Sequence, residues 1–254
     1  ATTTAFERTI NNRRRDYNFE WTNDYKRTFS NPQQQWSASV QWTHLRNRQD
    51  YTLFERPMQS SDILLAEKAL NLAANNEVTV QTDYTQSLKN KIQLETGAKH
   101  ILRMIGSDAS YDEWENDRAG FFLNPERTQQ LDYTQHISAA YLETRFQWHK
   151  RWSFRIGNRL EHTLNRIQNE TTVQDHYLTW TPGAAMSYTL PNAATLTGSY
   201  SRRIQRPGIA QLNPFVNTAD RLNATRGNPY LRPELTDIFD LSFSMPFKKG
   251  FLDR

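Results

Sequence analysis

Long runs of two-residue alternation dominate this sequence, and they recur too regularly for anything but a sheet of extended strands. In QQQWSASVQWTH, residues 33–44, Trp36, Ala38, Val40 and Trp42 share one parity while Ser37, Ser39 and Gln41 share the other. Before the turn Ser30-Asn31-Pro32, Tyr17, Phe19, Trp21 and Tyr25 alternate with Asn18, Glu20, Thr22 and Asp24. The pattern returns near residues 78–84, 92–98, 137–141, 152–160, 180–188, 194–200 and 239–245. Several runs reach about a dozen residues, beyond the ~5–6 usual in soluble sheets and enough for the ~9–11 of a tilted strand crossing a bilayer. About ten or eleven strands are expected, the first at about residues 2–9.

Two kinds of connection alternate between these runs. Short turns are expected near residues 31, 88, 150, 191 and 248, and long polar loops at about 45–76, 101–130, 164–176 and 203–234. Outer-membrane barrels have this asymmetry, with short periplasmic turns and long extracellular loops. The expected fold is therefore all-β: an antiparallel transmembrane β-barrel, here a partial barrel of about ten strands. One stretch departs from the pattern. SSDILLAEKALNLAANN, residues 60–76, opens on Ser and Asp and continues in helix formers, so it reads as a short helix in a long loop or as an irregular loop.

Composition agrees with strands that present one oily face. Hydrophobic residues are only 37%, low for a globular core, yet aromatics reach 12%, which excludes a disordered chain. No run approaches the ~18 apolar residues of a spanning helix. The absence of cysteine removes disulfides, thiolate metal sites and cysteine nucleophiles. The net charge of +4 is mild, and the clusters Arg13-Arg14-Arg15 and Arg202-Arg203 read as solvated loop charge, with no nucleic acid implied. ATTTAFERTI at the start lacks a basic leader with an apolar core, so an exported protein would be represented here by a processed or partial chain.

Catalytic chemistry finds little support. The six histidines show no metal-ligand spacing. Glu161 and His162 are adjacent, so in a strand they point to opposite faces. Asp112-Glu113 reads as solvated loop charge, with calcium binding as the alternative. No phosphate cradle or nucleophile elbow is present, so the expectation is of no enzyme, no cofactor and no metal. The loop aromatics Tyr111, Trp114, Phe121 and Phe122, among Asp112, Glu113 and Glu115, could stack on sugar rings or receive a cationic ligand; packing within the loop is the alternative.

Residues 198–243, GSYSRRIQRPGIAQLNPFVNTADRLNATRGNPYLRPELTDIFDLSF, carry a resemblance. They resemble the β-barrel region of the TonB-dependent outer-membrane receptors common in Bacteroidota. The matching pieces are Ser201-Arg202-Arg203, Arg206-Pro207, Leu212-Asn213-Pro214-Phe215, and Gly227-Asn228-Pro229 with Leu231, Pro233 and Glu234. Residues 75–103 add a strand–turn–strand with an E-x-G-x-K second strand, at Glu95, Gly97 and Lys99.

The resemblance implies that residues 1–254 are part of a TonB-dependent receptor barrel of about 22 strands, with its plug domain and C-terminal strands outside this chain. It implies import of a scarce nutrient (a siderophore, glycan, peptide or cobalamin) at the outer membrane. The implied partners are the TonB energising complex, a surface lipoprotein and outer-membrane lipid. Side chains opposite the aromatic face would line the lumen: Glu20, Gln41, Glu95, Lys99, Arg155 and Arg159. Within the GNPYLRPE motif, Pro233 biases Arg232 toward extended backbone, and Glu234 is expected to pair with Arg226 or Arg232. The motif reads as holding a loop end against the next strand, with direct substrate contact as the alternative. The competing reading is a soluble β-sandwich or adhesin-like module binding glycan or protein through long loops, which would bury the tryptophans between two layers.

Overall fold

The computed structural model describes residues 5–58, 62–88, 92–169, 172–213, 216–220 and 223–246. The strands are β1 (Phe6–Thr28), β2 (Gln35–Pro57), β3 (Leu65–Leu88), β4 (Ile92–Glu115), β5 (Gly120–Leu123), β6 (Gln129–Trp148), β7 (Trp152–Gln168), β8 (Thr172–Thr189), β9 (Thr195–Gln205), β10 (Val216–Asp220), β11 (Asn223–Arg226) and β12 (Glu234–Ser244). A four-residue helix, α1 (Ile209–Leu212), follows β9. Nine strands form an antiparallel path β1-β2-β3-β4-β6-β7-β8-β9-β12, and β5 folds back on β4 to make the sheet ten-stranded. The sheet is open, with β1 and β12 at its edges, and β10 and β11 pair separately.

Register assigns every side chain to a face, because paired residues share one. Trp21, Trp42, Val78, Leu102, His136, Leu164 and His176 form one row. The neighbouring row on the opposite face is polar: Glu20, Thr43, Glu77, Arg103, Gln135, Asn165 and Asp175. Burial follows the same division. Tyr133, Gln135, Ile137 and Ala139 of β6 are at most 6% exposed, whereas Trp36, Trp42, Leu160 and Phe239 on the other face are 37%, 41%, 51% and 77% exposed. Curvature accounts for this, since a bending sheet crowds the side chains on its concave side. Among the described residues no second layer covers the exposed tryptophans, so the sandwich reading fails.

The expected long loops are mostly strand. The connection expected at 45–76 shrinks to residues 58–64, and 101–115 and 164–168 continue β4 and β7. β3 and β4 each run 24 residues, far beyond what crosses a bilayer. Over Arg13–Arg15 of β1 and Arg48–Asp50 of β2 alternation disappears because both faces are polar, while the backbone ladder continues in the pairs Arg13↔Asp50, Arg14↔Gln49 and Arg15↔Arg48. The helix or irregular loop expected at 60–76 is likewise overturned from Leu65 onward. Leu70 pairs with Asp50 on one side and Ser110 on the other, and two flanking strands outweigh a weak local helix preference. The expected separate strand at 2–9 is, over Phe6–Thr9, the beginning of β1.

The opposite end of the sheet keeps tight turns. Gln34 donates its N–H to Asn31 at 2.8 Å, and His149 and Ala193 adopt φ of 56° and 64° in the turns after β6 and β8. The central residues of the turns expected near 88 and 248 lie outside the described residues.

Candidate functional site

The concave wall carries the polar chemistry. Glu20, Gln41, Glu95, Lys99, Arg155 and Arg159 all fall on it by register. Its charges are matched nearly one for one. Arg103 donates to Glu77 at 2.8 Å and to Gln135 at 3.0 Å, Gln135 donates to Asn165 at 2.9 Å, and the Tyr133 hydroxyl donates to Asn165 at 3.1 Å. Nearer the tight turns, Glu143 accepts both Arg145 and Arg155 at 2.7 Å, and the Tyr141 hydroxyl reaches Asp83 at 2.6 Å. Glu161, only 4% exposed, pairs with Arg159 at 3.0 Å and with Arg206. His162 lies exposed on the convex face, so Glu161 and His162 do not act together. Among the described residues no group of three or more His, Asp or Glu could hold a metal ion.

Between β9 and β12 the chain turns inward and docks on this wall. Leu212 is fully buried against Leu131, Tyr133 and Ile167, with Ile105, Ile209 and Leu231 packed around them. Burying one such leucine contributes about 1.5–3 kcal/mol. The second half of the segment is clamped onto the first. Gly227 donates its N–H to Asn213 at 2.9 Å and Asn228 donates to Gln211 at 2.8 Å. A Cβ at residue 227 would lie 2.5 Å from the Asn213 oxygen and 2.6 Å from the Gln211 oxygen, so only glycine fits. The Asn228 side chain then accepts the Tyr230 N–H at 3.0 Å, which closes the turn around Pro229.

Past this turn the chain rejoins the sheet, and Glu234 starts β12 opposite Gln205. The expected Glu234–Arg232 pair does not form. Arg232 turns instead to Asp175 of β8 at 3.3 Å and donates to the His176 carbonyl at 3.0 Å, because the chain crosses β8 before pairing with β9. Nor does Glu234 pair with Arg226. Asn213, Gly227 and Asn228 are thus brought together and Leu231 packs against the Leu212 cluster, Pro233 precedes β12, and Pro214 and Phe215 lie outside the described residues. Sequence reasoning missed Arg206, Leu212 and Asp175 as anchors of this segment. The available signal was the apolar set Ile209, Leu212 and Leu231 inside an otherwise polar stretch.

The four loop aromatics divide between the two faces. Tyr111 shares the concave face with Glu113, and the Arg127 guanidinium sits 4.8 Å from its ring while pairing with Glu67 at 2.7 Å and Glu113 at 2.8 Å. Desolvation works against the charge on Arg127, but the hydrogen bonds it donates to Glu67 and Glu113 prevail and hold its pKa above the ordinary arginine value. Trp114 and Phe121 pair across the β4–β5 hairpin with rings 5.3 Å apart, on the side of Phe54 and of Lys68, whose Nζ is 3.9 Å from the Phe121 ring. Phe122 lies under Arg118 at 5.0 Å.

Comparison with known proteins gives a consistent picture. The sequence model of the outer membrane protein beta-barrel family matches residues 27–253. Curated proteins give no sequence match. Among solved structures, the FpvAI–pyocin S2 complex is similar over 92% of this chain and 30% of its own, at 14% identity and a TM-score of 0.57. FpvA of P. aeruginosa bound to heterologous pyoverdines is similar over 91% and 31%, at 14% identity and 0.56. The copper transporter OprC is similar over 90% and 43%, at 12% identity and 0.51. The chain thus spans less than half the length of each of these structures.

Proposed function

Because the chain belongs to the outer membrane protein β-barrel family and lies in the bacterial outer membrane, we propose that it forms part of the barrel wall of a TonB-dependent receptor that imports a scarce nutrient. The convex apolar face meets lipid, and the concave face borders a lumen stoppered by a plug domain of the same longer protein. TonB supplies the force that moves the plug, and the cargo crosses without chemical change. The observation that carries this reading is the segment between β9 and β12 folded onto the concave wall, where Leu212 is fully buried. A lumen-facing anchor of that kind suits a barrel whose interior is occupied by protein and not an open pore. Support also comes from the likeness to FpvA, solved bound to pyoverdines, and to the copper transporter OprC over at least 90% of this chain.

Cargo first meets the mouth formed by the far ends of β3 and β4, where Tyr111 and Phe122 look inward. Ferric siderophores, copper, peptides and glycans are the cargo classes to screen. The test is uptake of labelled members of that panel by cells carrying or lacking the full-length gene, with and without TonB. Loss of one cargo in both the gene deletion and the TonB depletion is expected. A steady open-channel conductance of the purified full-length protein in planar bilayers would refute the proposal, because a stoppered lumen passes none.

A further inference from the structure

On the convex face lies a depression of about 480 Å³ that the import reading does not use. Its floor is made of small side chains, Ala98, Ser138 and Ala140, and its walls of Val80, Leu160 and Leu178. The walls are 47%, 51% and 70% exposed, so this is a trough open to the surroundings and not a protein core. Strands stand about 4.8 Å apart, and three small residues on adjacent strands leave a channel the width of an acyl chain.

The upper end of the trough changes chemistry abruptly. His100 and His162 flank Ser138 in the row above Ala98 and Ala140. One row higher stand His136 and His176 on either side of Leu164, and above these Arg166 stands between Thr134 and Gln174. The rings of His100 and His136 are 5.6 Å apart, and those of His162 and His176 are 6.0 Å apart. Across these three rows on β4, β6, β7 and β8 there is no carboxylate on the convex face. Four imidazoles and a guanidinium are thus gathered over an apolar trough, and the first carboxylate above them on this face of those strands, Asp132, stands one row higher still, opposite Gln168.

Their height places them at the membrane boundary. About ten residues separate Trp152, at the tight-turn end of β7, from His162, which is what a tilted strand needs to cross the hydrocarbon. Tight turns are periplasmic, so the histidines lie at headgroup level in the outer leaflet. We propose that this face binds one phosphorylated glycolipid of the outer leaflet, an acyl chain lying over Ala98 and Ala140 and its phosphate groups met by the band of donors formed by His100, His136, His162, His176 and Arg166. The proposal rests on membership of the outer-membrane barrel family and is independent of cargo.

The test uses the full-length protein purified in detergent and bis-phosphorylated lipid A as probe, with its dephosphorylated form in parallel, read by native mass spectrometry. The double variant His136→Gln/His162→Gln removes donors while keeping polar side chains, Ala140→Phe fills the trough, and His149→Gln at a periplasmic turn is the control. Phosphorylated lipid is expected on the wild type and on His149→Gln. Its affinity should fall on the order of tenfold or more in the double variant and be lost in Ala140→Phe, and the dephosphorylated lipid should bind weakly to all. Equal binding of the two lipids by the wild type overturns the phosphate assignment. Unchanged binding by the double variant, checked for folding by its resistance to trypsin, overturns the site.

Discussion

Replacing Gly227 with alanine tests the clamp that holds the inward segment against the wall. No glycine among the described residues has positive φ, so the requirement at 227 is for space and not for a left-handed backbone. The new Cβ would sit 2.5 Å, 2.6 Å and 2.8 Å from three backbone atoms of Asn213 and Gln211, which cannot swing aside as a flexible side chain would. Relief requires the two halves of the segment to part, with loss of the hydrogen bonds Gly227→Asn213 at 2.9 Å and Asn228→Gln211 at 2.8 Å. Two such bonds contribute about 2 kcal/mol together, and loosening Leu212 from its pocket costs about 1.5–3 kcal/mol more. A local opening made easier by roughly 4 kcal/mol raises amide exchange by about three orders of magnitude. Hydrogen-exchange mass spectrometry of the full-length protein in detergent reads this directly at residues 209–213 and 227–231. Gly198→Ala serves as the comparison, because a Cβ there meets nothing within 4 Å. If Gly227→Ala exchanges like Gly198→Ala over those peptides, the close-approach argument is wrong.

Face assignment predicts opposite outcomes on the two sides of the sheet: Leu142→Arg, on the convex face between the Trp152 and His162 rows, should cost about 2–4 kcal/mol in a bilayer, while Gln81→Arg on the concave side should leave stability within about 0.5 kcal/mol. Urea titration of protein refolded into lipid vesicles measures both, and similar losses would contradict the assignment. Glu161→Ala strands Arg206 and Arg159 on the wall and should cost about 3–5 kcal/mol by the same titration; Arg232→Ala, where the side chain is 59% exposed, should cost under about 1 kcal/mol. Arg127→Ala removes the cation paired with the 7%-exposed Glu67 side chain and with Glu113, so limited proteolysis should cut the 116–128 connection faster while the sheet below stays resistant.

What could be read from the sequence, and what could not, has a physical cause. Trp36, Ala38, Val40 and Trp42 announced their strand because one side of the sheet presents apolar side chains outward and the other carries the polar, charge-paired wall. Alternation reports that contrast in surroundings and not backbone pairing. Where β1 and β2 extend past the apolar rows, Arg13, Arg14 and Arg15 face water on both sides and the signal vanishes, although the ladder to Asp50, Gln49 and Arg48 is unbroken. Residues 65–76 failed for the opposite reason, a local helix preference overruled by strands on both flanks. The motif at 227–234 could be recognised as a device for holding a loop end, but its anchors could not, since Leu131, Ile167, Glu161 and Asp175 come from three other strands.

The pairing of charges along the concave wall bears on how a barrel interior can change its contents. A lone buried charge costs several kcal/mol when water is withdrawn from it, and a matched, hydrogen-bonded pair costs far less. Arg103 pairs with Glu77, Arg145 and Arg155 share Glu143, and Arg159 and Arg206 share Glu161, so each of these carboxylates has its counter-charge within this chain. On the proposed reading, a plug covers these groups or water reaches them, and in either state each of these carboxylates keeps an arginine partner. Displacing such a plug would then break few charge pairs, because the wall carries its own partners. An interior that relied on the plug for its counter-charges would resist opening in proportion to their number. Self-pairing on the wall removes that resistance before any force is applied.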